Sequence, residues 1–91
     1  MLPVIWLSEA IDDLSGIAAF IAEWNPSAAE ALVDRIVEIT QPLAQFPYMG
    51  RQGRVPGTRE LLPHSNYCVV YEVKAASIEI TAVLHVRREY P

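Results

Sequence analysis

The chain has 91 residues, 52% of them hydrophobic and 20% charged, with a formal net charge of −4. That length suits one domain over residues 1–91 with a core of its own, and the single cysteine, Cys68, excludes an internal disulfide. No run approaches the ~20 apolar residues of a membrane-spanning helix, and the N-terminus lacks a basic region and a cleavage site. The expectation is a cytoplasmic protein with no membrane partner.

"LPVIWL" (residues 2–7) is short, apolar and partly β-branched, which predicts a strand. Ser8 then has the chemistry of an N-cap, with Glu9, Asp12 and Asp13 where a helix dipole favours acids. Ala10, Ile11, Leu14, Ile17, Ala18 and Ile21 repeat at helical spacing, so a first helix is expected over about residues 9–23. Asn25 is a good cap and Pro26 suits the first turn of a second helix. Ala29, Leu32, Val33, Ile36, Val37, Ile39 and Leu43 form its stripe, and Pro42 ends or kinks it. The tight "EWNP" link makes the two helices an antiparallel hairpin.

From "FPYMG" to Gly57 the glycines and prolines predict a loop. Gly50, Gly53 and Gly57 are expected to supply left-handed turns rather than a phosphate cradle. "TRELL" reads as a strand, "PHSN" as a turn, "YCVVYEV" as a strand, "KAAS" as a turn and "IEITAVLHV" as a long strand. In that last strand Ile78, Ile80, Ala82, Leu84 and Val86 alternate with Glu79, Thr81, Val83, His85 and Arg87. Strict period two puts the first set in the core and His85 with Arg87 on the opposite face. The predicted class is α+β: an N-terminal strand and an antiparallel helical hairpin packed on one face of an antiparallel β-sheet.

The charge is bipolar. Residues 1–45 carry seven acids against one base, Arg35, whereas residues 46–91 carry six bases against four acids. Arg51, Arg54 and Arg59 gather on the glycine-rich "GRQGRVPGTRELL". A chain of this kind can meet an anionic partner through its second half; the plain alternative is ordinary solvated charge. Cys68, inside an apolar run, reads as a buried inert thiol. No phosphate-loop, dinucleotide or metal-ligand spacing occurs, so neither cofactor nor metal is expected.

The segments "PVIWLSEAIDDLSGIAAFIAEWNPSAAEALVDRI", "LAQFPYMGRQGRVPGTREL", "NYCVVYEV" and "ITAVLHVRREYP" resemble, in order and spacing, the RelE/ParE superfamily of toxins from type II toxin–antitoxin modules. The likeness runs over essentially the whole chain and is closest to the ParE-like branch. It implies a compact α+β toxin and a protein partner, an antitoxin that wraps it in a hetero-oligomer. It also implies one of two targets. ParE-like members inhibit DNA gyrase, whereas RelE-like members cut mRNA in the ribosomal A site. A third reading is a degenerate, non-toxic module that only binds an antitoxin.

Metal-free RNA cleavage needs a base, an acid and cations on the phosphate. The candidates are His85, Glu60 and Tyr90 for proton transfer, with His64 a poorer choice, and Arg59 and Arg87 for the phosphate. Arg59 and Glu60 are strand neighbours, however, and must point to opposite faces unless a bulge intervenes. Lys74 is the only lysine, which gives little attraction to ribosomal phosphate. The bland readings are that His85 closes the last strand and that Arg59 and Glu60 tie the loop to the sheet. Arg51, Arg54, Arg59, Arg87 and Arg88 are the candidate partner-binding cations. Phe20 and Trp24, four apart on the first helix, either cover the end of the hairpin or edge a groove for an antitoxin helix.

Overall fold

A computed structural model of the protein describes residues 1–87. The order is β1 (Val4–Trp6), α1 (Ser8–Ala22), α2 (Pro26–Thr40), a 3-10 turn (Gln41–Ala44), β2 (Arg51–Gln52), β3 (Arg59–His64), β4 (Tyr67–Val73) and β5 (Ile78–His85). The strands form one sheet in the order β1-β5-β4-β3-β2. β1 runs parallel to β5, and the other pairs are antiparallel. The α+β class holds, with β2 as a short edge strand inside the segment expected to be all loop.

Local chemistry sets the helix limits. Asn25 Oδ1 accepts a 3.0 Å bond from the Ala28 amide and Pro26 opens α2, as expected. Ser8 is not the cap of α1. It is the first helical residue, Leu7 occupies the cap position, and the Ser8 hydroxyl donates to Glu9 instead. Pro42 does not end the helical path at once, because the chain tightens into the 3-10 turn that buries Leu43. β3 runs on through Pro63 and His64, so the turn before β4 is shorter than "PHSN".

The core lies between the hairpin and one sheet face. It joins Ala10, Leu32, Ile36 and Leu43 to Leu61, Val69, Tyr71, Ile78, Ile80 and Val83. Fully burying a side chain such as Ile36 or Ile80 contributes about 1.5–3 kcal/mol. A smaller cluster of Cys68, Val70 and Leu84, with Ala82 and Val86 beside it, covers the opposite face.

The strict alternation expected for β5 is broken. Val70 pairs with Ala82 but Tyr71 pairs with Ile80, so Thr81 is an extra residue in a bulge. Its hydroxyl donates to Val70 O at 3.3 Å. Beyond the bulge the faces exchange. Val83 joins Ile78 and Ile80 in the main core, while Ala82, Leu84 and Val86 pass to the other side. β1 has ended by this point, and the outward amide of Val83 donates to Asp13 Oδ2 of α1 at 3.1 Å. Asp13 thus satisfies an edge donor that no strand reaches.

Candidate functional site

The arginine-rich segment is fastened to the sheet at both faces. Pairing of Arg51 with Glu60, and of Glu60 with Val70, puts Arg51 and Glu60 on the face away from the helices. Glu60 is only 2% exposed. Its Oε1 takes Arg51 Nη2 at 2.9 Å and Nε at 3.2 Å. Its Oε2 takes the Arg54 amide at 3.4 Å, with the Arg54 guanidinium at 3.8 Å. Arg54 Nη2 reaches on to Val86 O at 3.5 Å, so this arginine crosses the outer cluster toward β5. Burial raises the Cys68 thiol's pKa, and the Glu60 charge adds to that; Arg54 and Arg51 pull it back. Cys68 is buried, as its apolar run suggested.

Arg59 points to the other face, as strand parity requires, because it pairs with Tyr71. Its Nη1 donates to Gly50 O at 2.7 Å and Tyr48 O at 3.2 Å. Its guanidinium lies 5.0 Å from the centre of the Tyr48 ring. Tyr71 anchors the same turn from below: its hydroxyl donates to Pro47 O at 2.8 Å and accepts from the Gly50 amide at 3.0 Å. Burial pushes the Tyr71 hydroxyl's pKa up, partly offset by the Gly50 amide and Arg59.

Two of the three glycines do different work from that expected. Only Gly57, with φ 87°, is left-handed among the described residues. Gly50 is required for close approach, since a Cβ there would come within 2.6 Å of Tyr71 Oη and 2.8 Å of Glu60 O. A Cβ on Gly53 would collide with the Thr58 side chain. The loop closes on itself through Gly53 N to Thr58 O, 2.8 Å, and Thr58 N to Val55 O, 3.1 Å. Beside it Tyr48, Gln52, Arg54, Arg59 and Val73 line a groove of about 570 Å³.

His85 is not part of this groove, nor does it lie opposite the main core. The Thr81 bulge returns it to the helix-side face, against Tyr67, with ring centroids 5.5 Å apart. Tyr67 also meets His64 at 5.7 Å. His85 pairs with Tyr67 and Arg59 with Tyr71, on opposite sides of β4 and four positions apart along it, an offset of ~13 Å along the strands alone. Glu60 is on the opposite face. Of the five nuclease candidates, His85, Arg59 and Glu60 therefore do not converge. His85 Nδ1 accepts from the Arg87 amide at 3.2 Å, and Arg87 itself is exposed. Arg88 and Tyr90 lie outside the described residues. Phe20 and Trp24 are 63% and 80% exposed, so they do not cover the hairpin end as core. Phe20 borders a groove with Asp12, Asp13, Ile17, Tyr67 and His85.

Tyr71, Tyr48 and Asp13 carried no functional signal in the sequence reading. A tyrosine inside a core strand does signal a buried hydroxyl that needs a partner; which loop supplies that partner is a tertiary fact.

The family profile described as "ParE toxin of type II toxin-antitoxin system, parDE" matches residues 4–90. The Sinorhizobium fredii protein Y4kP is 36% identical over 87 residues, covering 94% of this chain and 90% of its own length. Toxin RelE2 of Caulobacter vibrioides is 30% identical, covering 97% of this chain and 99% of its own. Among solved structures, the chromosomal ParDE system from P. aeruginosa superposes with TM-score 0.86 at 31% identity, over 96% of this chain and 98% of that one. The YoeB dimer from Staphylococcus aureus shares the fold, with TM-score 0.64 at 14% identity over 98% of both chains.

Proposed function

This chain belongs to the ParE toxin family of type II toxin–antitoxin systems, and we propose that within that family it inhibits DNA gyrase by docking rather than by cutting RNA. It is the toxin of such a pair, and its partner is an antitoxin protein. The observation that carries the docking reading is the sequestration of Glu60. A carboxylate 2% exposed and held by two arginines cannot reach a 2′-hydroxyl proton. Among the described residues no second base stands near Arg59, because His85 is turned against Tyr67. The arginine loop then acts as a shaped cationic surface. Gyrase acts in the cytoplasm, so the toxin works there.

On the helical side, Phe20 and Trp24 are the apolar contacts we assign to the antitoxin. Phe20 borders the groove beside α1 and Trp24 stands exposed four residues on; exposed aromatics are common anchors of an interface.

The second reading, ribosome-dependent mRNA cleavage, is favoured by the likeness to toxin RelE2. Purified toxin separates the two. With gyrase, relaxed plasmid and ATP, the docking reading expects loss of supercoiling and trapped cleavage complexes. With programmed ribosomes it expects intact mRNA. The reverse pattern would replace it with the nuclease reading.

A further inference from the structure

We infer that the turn from Phe46 to Met49 is the anchor by which the toxin seats in its protein target, in an apolar cleft rimmed by carboxylates. The inference rests on the gyrase-docking reading and names the contact that reading needs. Phe46, Tyr48 and Met49 are 60%, 64% and 44% exposed, three large apolar side chains within four residues. All three stand outside both core clusters, so the fold gives them no internal packing to do. Met1 and Leu2 adjoin Phe46 around a hollow of about 480 Å³, which extends the apolar surface beyond the turn.

The backbone beneath these side chains is fixed. Every residue from Phe46 to Gly50 has a backbone group in a hydrogen bond. Phe46 N donates to Pro42 O at 2.9 Å, and Met49 N donates to Phe46 O at 3.1 Å. The Tyr71 hydroxyl holds Pro47 and Gly50 from within, while Arg59 holds the carbonyls of Tyr48 and Gly50. None of these bonds uses the side chain of Phe46, Tyr48 or Met49. A rigid turn that presents apolar side chains has little ordering entropy left to lose, which is the condition for a binding hot spot.

Charge sets the chemistry of the receiving surface. No acid occurs between Glu38 and Glu60 in the sequence, and Glu60 is buried. Arg59 lies against the Tyr48 ring and faces no carboxylate among the described residues. An apolar turn with a cationic border complements an apolar cleft with an acidic border. A phosphate backbone would match Arg59 but leave Phe46 and Met49 unused. The antitoxin contacts assigned above lie elsewhere. Trp24 precedes α2 and Phe46 follows its far end, with ~22 Å of helix between them.

Purified gyrase tests the inference, with the parent toxin beside a variant carrying Phe46→Ser, Tyr48→Ser and Met49→Ser. The triple variant should need at least about thirtyfold more protein to inhibit supercoiling. Tyr48→Phe and Met49→Leu keep the apolar surface and should inhibit as the parent does. Circular dichroism and the urea midpoint of the triple variant should match the parent, and its antitoxin affinity should be unchanged. If the triple variant unfolds, Phe46→Ser and Met49→Ser singly carry the same test, each weakening inhibition at least about fivefold. Folded variants that inhibit at the parent's concentration would overturn the inference and leave the docking reading standing. Loss of antitoxin affinity with unchanged inhibition would overturn it too, and would assign the turn to the antitoxin. A parent toxin that leaves gyrase active would overturn both the inference and the reading it rests on.

Discussion

Tyr71 shows how one buried polar group positions a functional loop. Its hydroxyl ties Pro47 and Gly50, and Gly50 leads into the first loop arginine. Tyr71→Phe should cost about 1–3 kcal/mol, because the Gly50 amide is left buried without an acceptor; urea unfolding at pH 7 measures it. Gly50→Ala should cost a similar amount through overpacking, about 1–3 kcal/mol, since Tyr71 and the Glu60 carbonyl cannot both retreat. The pH dependence follows from the same burial. Folding raises the pKa of Cys68 above 9.0 and of Tyr71 above 10.0. Above those ordinary values the unfolded chain has lost protons that the folded chain still holds. The stability that these two groups carry is therefore fully present below their ordinary values and falls as pH rises through the folded pKa values. Unfolding midpoints taken across that range should fall with pH in the parent. Cys68→Ala should flatten the first part of the fall and Tyr71→Phe the part beyond pH 10. A parent whose midpoint stays flat to pH 11 would contradict the assignment.

Among the elements, the β5 bulge decides where the candidate residues go. Asp13→Ala should release the Val83 amide, and hydrogen exchange at Val83 should accelerate far more than at Ile80, which β1 covers. Exchange that is equal at both positions would show that Asp13 does not hold that edge. The bulge also marks where sequence periodicity stopped being informative. The helices, β4 and the start of α2 were legible because spacing, Asn25 and Pro26 are local signals. The face of His85 was not. "IEITAVLHV" alternates without a break, and the extra residue at Thr81 depends on pairing with β4 and on an acid 70 residues away. The opposed faces of Arg59 and Glu60 were legible, because parity within β3 is undisturbed between them. Gly50 and Gly53 were misjudged for a related reason. Close approach to Tyr71 or Thr58 leaves no trace in the sequence, whereas a turn composition does.

Over the whole molecule, acidic and basic charge are divided between the hairpin and the β2 edge, while exposed aromatics occur on both. The acidic hairpin carries Phe20 and Trp24 in the open, and the β2 edge carries the arginines. Replacing both aromatics by serine should leave stability within about 0.5 kcal/mol, yet weaken antitoxin binding by at least about tenfold if they are anchors. Calorimetric titration with the antitoxin reads the second quantity, and unchanged affinity would remove the helical side from the interface. The central claim, docking on gyrase without RNA cleavage, is tested most directly in cells. The toxin is induced without its antitoxin, and thymidine and leucine incorporation are followed through the first minutes. Early loss of thymidine incorporation with leucine lagging is the expected result. Early loss of leucine incorporation would contradict it and make the ribosome the target.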